Sequence, residues 1–307
     1  MLLKIVKSSV LVAVATCTLN AGDFNAQAEK DRKALEAYTV AKFADPVKDR
    51  YSFFPYSTDD ELKNNIVAGI KAEEFAIGNY AFSKQGKFSY DEIKEMPPYE
   101  DFVEAGEEIY ENSAALKACF PDVTIGGDYP YFDDAKKEVV TLTSAINACV
   151  VAAGEKKWGE KKGKMANLQA FISYSTMEAE KKVNIKIQSA EAAAAYERGK
   201  QEYYTERGYL NLSCATCHVQ GAGKRVRNES LSQLLGHTTH FPVFRLKWGA
   251  KDKNSNGLGT LERRMEGCNK DQGENPHKTN SKWMKELLYF MAYMSNGMNV
   301  DGPDVRK

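Results

Sequence analysis

Five residues, Cys214-Ala215-Thr216-Cys217-His218, restrict this chain more than any other stretch. Two thiols at this spacing can each add to a vinyl group of one haem, and the adjacent His can give its imidazole to the iron. The pentapeptide therefore reads as a c-type haem attachment site. A competing assignment, a redox-active or zinc-binding Cys-x-x-Cys pair, needs a coincidental His and a second ligand pair elsewhere.

Attachment of this kind needs a translocated chain. Lys4 and Lys7, an apolar run from Val10 to Ala15 and small residues near Ala21 predict a signal peptide over residues 1–21, cleaved near Ala21. The expected location is the periplasm. The run is too short for a spanning helix, and no later stretch approaches the roughly 20 apolar residues that a crossing needs. A lipoprotein reading through Cys17 has Thr16, a poor residue, before the Cys. The chain balances 42 basic against 42 acidic residues, and loss of Lys4 and Lys7 leaves it slightly acidic, which argues against nucleic acid as a partner.

The remaining length suits two domains, and the chain is internally duplicated. Gly106, Tyr110 and Cys119 recur as Gly199, Tyr203 and Cys214; Tyr129-Pro130-Tyr131-Phe132 recurs as Phe241-Pro242-Val243-Phe244; Cys149, Leu168 and Phe171 recur as Cys268, Leu287 and Phe290. From Pro130 to Cys149 is 19 residues and from Pro242 to Cys268 is 26, an excess of 7 that equals the polar stretch Lys251 to Gly257. The expected fold is mainly α, with tandem cytochrome c-like helical domains and no haem in the first. The predicted limits are an N-terminal extension over 22–95, the haem-less domain over 96–177, an exposed linker helix over 178–197 and the haem-binding domain over 198–307. In each copy a first helix with a Gly and an aromatic should cross a last helix with a Leu and an aromatic, the Gly permitting close backbone approach.

The first copy has Cys119-Phe120-Pro121-Asp122 in place of the haem motif, so it lacks a second thiol and a proximal His. One covalently attached haem c is expected. Once Cys17 leaves with the signal peptide, Cys119 and Cys149 are the natural disulfide pair in an oxidising compartment. Cys268 is left over, at the position from which the distal part of a cytochrome domain could supply an axial ligand. A thiolate there favours ferric iron and lowers the reduction potential. Met265, Met291, Met294, Met298, His237 and His240 are other distal candidates, with Met291 and Met294 better suited to core packing and the two His to the haem edge. His277, beside Pro276, is expected at the surface. Arg264 lies four residues before Cys268, on the same face of any helix there. A guanidinium beside sulfur favours thiolate and can hold an oxyanion through paired hydrogen bonds. The opposing reading is a solvated helix, since Glu262, Arg263 and Glu266 surround it.

Taken together, Cys214 to His218, the Arg264-to-Cys268 spacing within Arg-Arg-Met-Glu-Gly-Cys-Asn, the segment Phe241 to Leu246 and the tandem layout resemble the SoxA family of the thiosulfate-oxidising Sox system, in its single-haem form. The resemblance implies that His218 and Cys268 ligate one low-spin haem and that Cys268 carries an extra sulfur as a persulfide. It implies a small cytochrome c partner, SoxX, and a sulfur-carrier protein, SoxYZ. The implied activity is haem-dependent L-cysteine S-thiosulfotransferase, in which thiosulfate is joined to a carrier cysteine with release of two electrons. Arg264 would clamp the thiosulfate dianion, with Arg245 and Lys270 as weaker candidates near the entry. Two other functions stay open: a plain electron-transfer cytochrome with Met ligation, and a thiosulfate dehydrogenase, which usually has two haem motifs.

Overall fold

The computed structural model describes residues 24–53, 56, 58–226, 229–251 and 257–306. The expected signal peptide and Cys17 lie outside these residues. Duplication is visible in the helix crossings. In the first unit α4 (Glu100–Glu111) leads through α5 (Ala114–Cys119) and a hairpin of β1 (Tyr131–Asp133) and β2 (Glu138–Val140) to α6 (Leu142–Ala152) and α7 (Lys164–Glu178). In the second, α8 (Ala190–Tyr204) leads through the haem motif to the short pair β3 (Arg225–Val226) and β4 (Glu229–Ser230), then β5 (Val243–Phe244), α9 (Leu246–Lys251), β6 (Leu258–Gly259), α10 (Leu261–Asp271), α11 (Lys282–Tyr293) and the closing strand β7 (Asp304–Val305). Helices α4 and α7 cross as α8 and α11 do.

Each crossing is set by a glycine. A Cβ on Gly106 would lie 2.1 Å from the Asn167 carbonyl oxygen, and one on Gly199 would lie 2.0 Å from that of Glu286. Asn167 and Glu286 hold equivalent places in the two copies, each one residue before the matched Leu168 and Leu287. No side chain fits between helices packed this closely, so Gly199→Ala must force α8 and α11 apart. Overpacking of this kind costs roughly 1 to 3 kcal/mol or more. The expected result is a clear drop in the chemical-denaturation midpoint of the second unit, whereas alanine at the open, solvent-facing Gly159 leaves it unchanged.

The hairpins keep the same register. Tyr131 pairs with Val140 and Phe132 with Val139; Val243 pairs with Gly259 and Phe244 with Leu258. The 7 extra residues of the second copy therefore lie between its two strands, as α9 does. Thr141 and Thr260 then cap α6 and α10 in equivalent positions, each side chain accepting from the backbone N–H three residues on. Those caps start the two helices that carry Cys149 and Cys268.

The expected linker helix is observed only over its second half, which is the start of α8. Residues 179–189 form no helix, and Val183, Ile185 and Ile187 are buried. Val183 N donates to the Met298 carbonyl and Ile185 N to Asn296 Oδ1. The alternation of apolar residues at 183, 185 and 187 has the period of a strand, and it outweighs the alanine run, which belongs to α8. Ser189 caps that helix, so α8 begins at Ala190 and straddles position 198.

The N-terminal stretch, with α1 (Ala26–Lys42), α2 (Asp59–Asn65), a kinked 3-10 segment over Ala72–Phe82 and α3 (Lys84–Glu95), is packed into the second unit. Its Phe43, Leu62, Ile70 and Phe75 share one core with Tyr203, Leu234, Leu287 and Phe290. The first unit has its own core around Tyr110, Leu116, Ile146, Met165 and Leu168. Cys119 and Cys149 are disulfide-bonded across it, linking α5 to α6 with Cα atoms 6.2 Å apart. No helix of the described residues is long and apolar enough to cross a membrane.

Candidate functional site

The haem motif begins with a reciprocal cap. Ser213 Oγ accepts from Thr216 N at 3.0 Å, while Ser213 N donates to Thr216 Oγ1 at 3.1 Å. That pair closes one turn around Cys214 and Cys217. A π-helical turn follows over Thr216–Gln220, closed by Gly221 N donating to the Thr216 carbonyl at 2.9 Å. Wide turns of this type are common at functional sites because they re-aim one side chain. Here the side chain is His218.

His218 Nδ1 lies 2.8 Å from the Ser232 carbonyl oxygen. A carbonyl can only accept, so Nδ1 carries the proton and Nε2 keeps its lone pair. Burial lowers the imidazole pKa to about 4, with the positive field of Arg264 adding to the effect and the Ser232 hydrogen bond opposing it. The ring is therefore a neutral ligand oriented from behind, the arrangement that raises the basicity of a metal-binding imidazole.

Facing the motif is α10. Cys268 lies near enough to raise the pKa of both motif thiols, after the larger effect of burial; Cys214 is pushed up to about 12, and on Cys217 the Arg264 guanidinium works the other way. The three cysteines are unbridged. Arg264 Nη1 lies 3.5 Å from where a Gly267 Cβ would be, so its guanidinium is folded along the helix. It sits 4.0 Å from Asp271. Tyr203, fully buried, completes the enclosure: it feels Cys214, Cys217 and Cys268, burial drives its pKa up, and its hydroxyl has no hydrogen-bond partner among the described residues. Two motif thiols, an oriented imidazole, a third sulfur opposite and an orphaned buried hydroxyl fit a covalently held haem c. Cys214 and Cys217 would hold such a group covalently, with His218 and Cys268 as its candidate ligands.

The remaining sequence candidates divide. Lys270 is exposed on α10 and pairs with Glu266 at 3.3 Å. Arg245 is not at an entry. It is 3% exposed, lies over the Trp248 ring and acts on Tyr80, next to the buried Asp304–Arg306 pair. Tyr80 and Arg306 are far from Arg245 in sequence, so the segment around Arg245 gave no sign of that burial. Met265, Met291, Met294 and Met298 are all core residues. His237 and His240 are buried, and the His237 ring centroid stands 4.5 Å from that of His218. His277 is half-buried, stacked 3.8 Å from Trp283.

Nor is α10 a solvated helix. Glu262 is buried and hydrogen-bonded to Thr143 of the first unit, burial holding its carboxyl above the usual range. Arg263 covers Trp248 at 4.1 Å, and Glu266 pairs with Lys161 at 2.5 Å. Of the charged cluster, Arg264 is the member that acts on the motif. Two contributors escaped sequence reading. Tyr203 was assigned to packing alone, and the Ser232 carbonyl is a backbone group that no side-chain pattern reveals.

Comparison with known proteins agrees with this layout. The model of the SoxA/TsdA cytochrome c domain matches residues 105–180, the unit without the haem motif. The L-cysteine S-thiosulfotransferase subunit SoxA of Chlorobaculum thiosulfatiphilum is 43% identical over 78% of this chain and 82% of its own. The protein of that name from Allochromatium vinosum is 35% identical over 96% of each chain. Among solved structures, the crystal structure of SoxXA from P. pantotrophus superposes with a TM-score of 0.62 at 30% identity, covering 72% of this chain and 84% of that one. On identity, coverage and fold together, this chain belongs to the SoxA family of cytochrome c proteins.

Proposed function

We propose that the chain is a periplasmic L-cysteine S-thiosulfotransferase subunit with one haem c, attached through Cys214 and Cys217 and ligated by His218 and Cys268. One observation carries this reading. Arg264 and Cys268 lie one turn apart on α10, the helix that faces the haem motif. The relatives' names supply the activity, and the superposition on SoxXA supports a small cytochrome c subunit, SoxX-like, as partner. The proposed division of the chain is an extension over 22–95, a haem-less unit over 96–177 and a haem-bearing unit over 198–307.

In the reaction a carrier thiol and thiosulfate combine. The S–H bond breaks, a sulfur–sulfur bond forms to the outer sulfur of thiosulfate, and one proton and two electrons leave, giving a carrier-bound S-thiosulfonate. When bound, haem c supplies one-electron redox chemistry. Two electrons therefore need a second one-electron acceptor, which is the role of the partner cytochrome. Arg264 holds the sulfonate oxygens through paired hydrogen bonds and turns the outer sulfur toward Cys268. Cys268, as persulfide or thiolate, is the sulfur through which the substrate passes to the cysteine of a SoxYZ-like carrier. Lys270, exposed beside the site, adds positive field that steers the dianion.

Intact mass of the mature protein tests the cofactor assignment. The expected value is the polypeptide plus one haem, less two hydrogens for the Cys119–Cys149 bridge. Two haems, or none, would contradict it. A protein that converts thiosulfate alone to tetrathionate, with no carrier, would favour the dehydrogenase.

A further inference from the structure

The N-terminal stretch is tied to the loop behind His218. Ser232, whose carbonyl accepts the His218 proton, is followed by Gln233, which is 1% exposed. Gln233 Nε2 donates to the Phe75 carbonyl at 2.9 Å and to the Leu235 carbonyl at 3.0 Å. Six residues on, Thr239 Oγ1 donates to the Ala76 carbonyl at 3.1 Å and to that of Gly236 at 2.8 Å. Between them Gly236, at φ +75°, presses its backbone against Phe75, where a Cβ would meet the carbonyl oxygen at 2.6 Å. On the other flank Lys42 Nζ donates to the Val219 and Gln220 carbonyls at 3.3 and 2.6 Å, directly after His218.

We propose that residues Phe75 and Ala76 of the N-terminal stretch brace the proximal loop through Gln233 and Thr239, and so position the Ser232 carbonyl that orients His218. Gln233 and Thr239 are positioning residues. They act on the iron ligand through the backbone of Ser232, so the property they set is the electron-donating strength of the imidazole. A firmly held Nδ1–H···O=C bond makes the imidazole a stronger donor and favours ferric iron. Loosening the loop weakens the bond and raises the reduction potential. The reason for choosing carbonyls of the 3-10 segment as anchors is geometric: Phe75 is fully buried, so its carbonyl cannot turn to water and must be met by a fixed donor.

This inference rests on His218 being the proximal ligand, as proposed above. Its test is a redox titration of the full-length haem protein carrying Gln233→Met, which keeps the volume and charge and removes the donor. Thr239→Val, also neutral and near-isosteric, loosens the far end of the same loop and serves if the first variant does not accumulate. Both should retain covalent haem and shift the midpoint potential upward, Gln233→Met the more, because it adjoins the acceptor carbonyl. An unchanged potential in the variants, with haem attached, would overturn the brace. Haem content of the wild-type protein, measured alongside, separates the two ideas: its absence overturns the ligand assignment instead.

Discussion

Cys268→Ala should abolish coupling of thiosulfate to the carrier while leaving the haem covalently attached. Attachment depends on Cys214 and Cys217, which the substitution does not touch, and Cys268 stands on a separate helix. Its side chain is partly accessible, so deletion of the sulfur opens no large core cavity. Loss of a group that forms covalent intermediates lowers turnover by roughly 10⁴-fold or more, which in a carrier-loading assay is the background. Cys268→Met separates the sulfur's two roles. A thioether can still ligate but cannot pass sulfur, so the variant should stay low-spin, have a raised midpoint potential because a charged donor has become neutral, and be inactive. Coupling retained at wild-type rate in Cys268→Ala would return the chain to the class of plain electron carriers.

Arg264→Lys should keep the haem and its spectrum but lower kcat/KM for thiosulfate by roughly ten- to a hundredfold. Hydrogen bonds to charged groups contribute about 1.5 to 3 kcal/mol, and 1.4 kcal/mol is tenfold. Lysine preserves the charge, so long-range attraction of the dianion persists; the lost part is the planar two-point contact that orients the sulfonate. The decrease should therefore fall on kcat as well as KM. Steady-state loading of a carrier cysteine across thiosulfate concentrations reads both. An Arg264→Lys enzyme equal to wild type would leave Arg264 a structural partner of Asp271 and no more.

How much of this was legible in the sequence follows from the range of each contact. The helix crossings were readable because Gly199, Tyr203, Leu287 and Phe290 repeat the spacing of Gly106, Tyr110, Leu168 and Phe171, and a close crossing admits few residue types. Arg264 and Cys268 were readable as a pair because four residues is one helical turn. The caps at Thr141 and Thr260 stood in the sequence at matched positions and would have fixed the starts of α6 and α10. Arg245 was misjudged for a different reason. It is buried near Tyr80, a residue distant in the chain, and a charged side chain does not announce its partner. The segment 179–189 was misjudged locally, since composition was weighed above the alternation of Val183, Ile185 and Ile187. The packing of the N-terminal stretch onto the proximal loop runs largely through backbone carbonyls, which are the same at every position and so leave no trace in a sequence.

The most direct test of the central claim, that His218 and Cys268 face one another across a single haem, is the low-temperature electron paramagnetic resonance spectrum of the ferric protein beside that of Cys268→Ala. The wild-type protein should give a low-spin, thiolate-type signal and lack the weak near-infrared band of methionine ligation, and the variant should lose that signal with its haem still attached. A methionine-type spectrum in the wild type, or an identical spectrum in Cys268→Ala, would contradict the account.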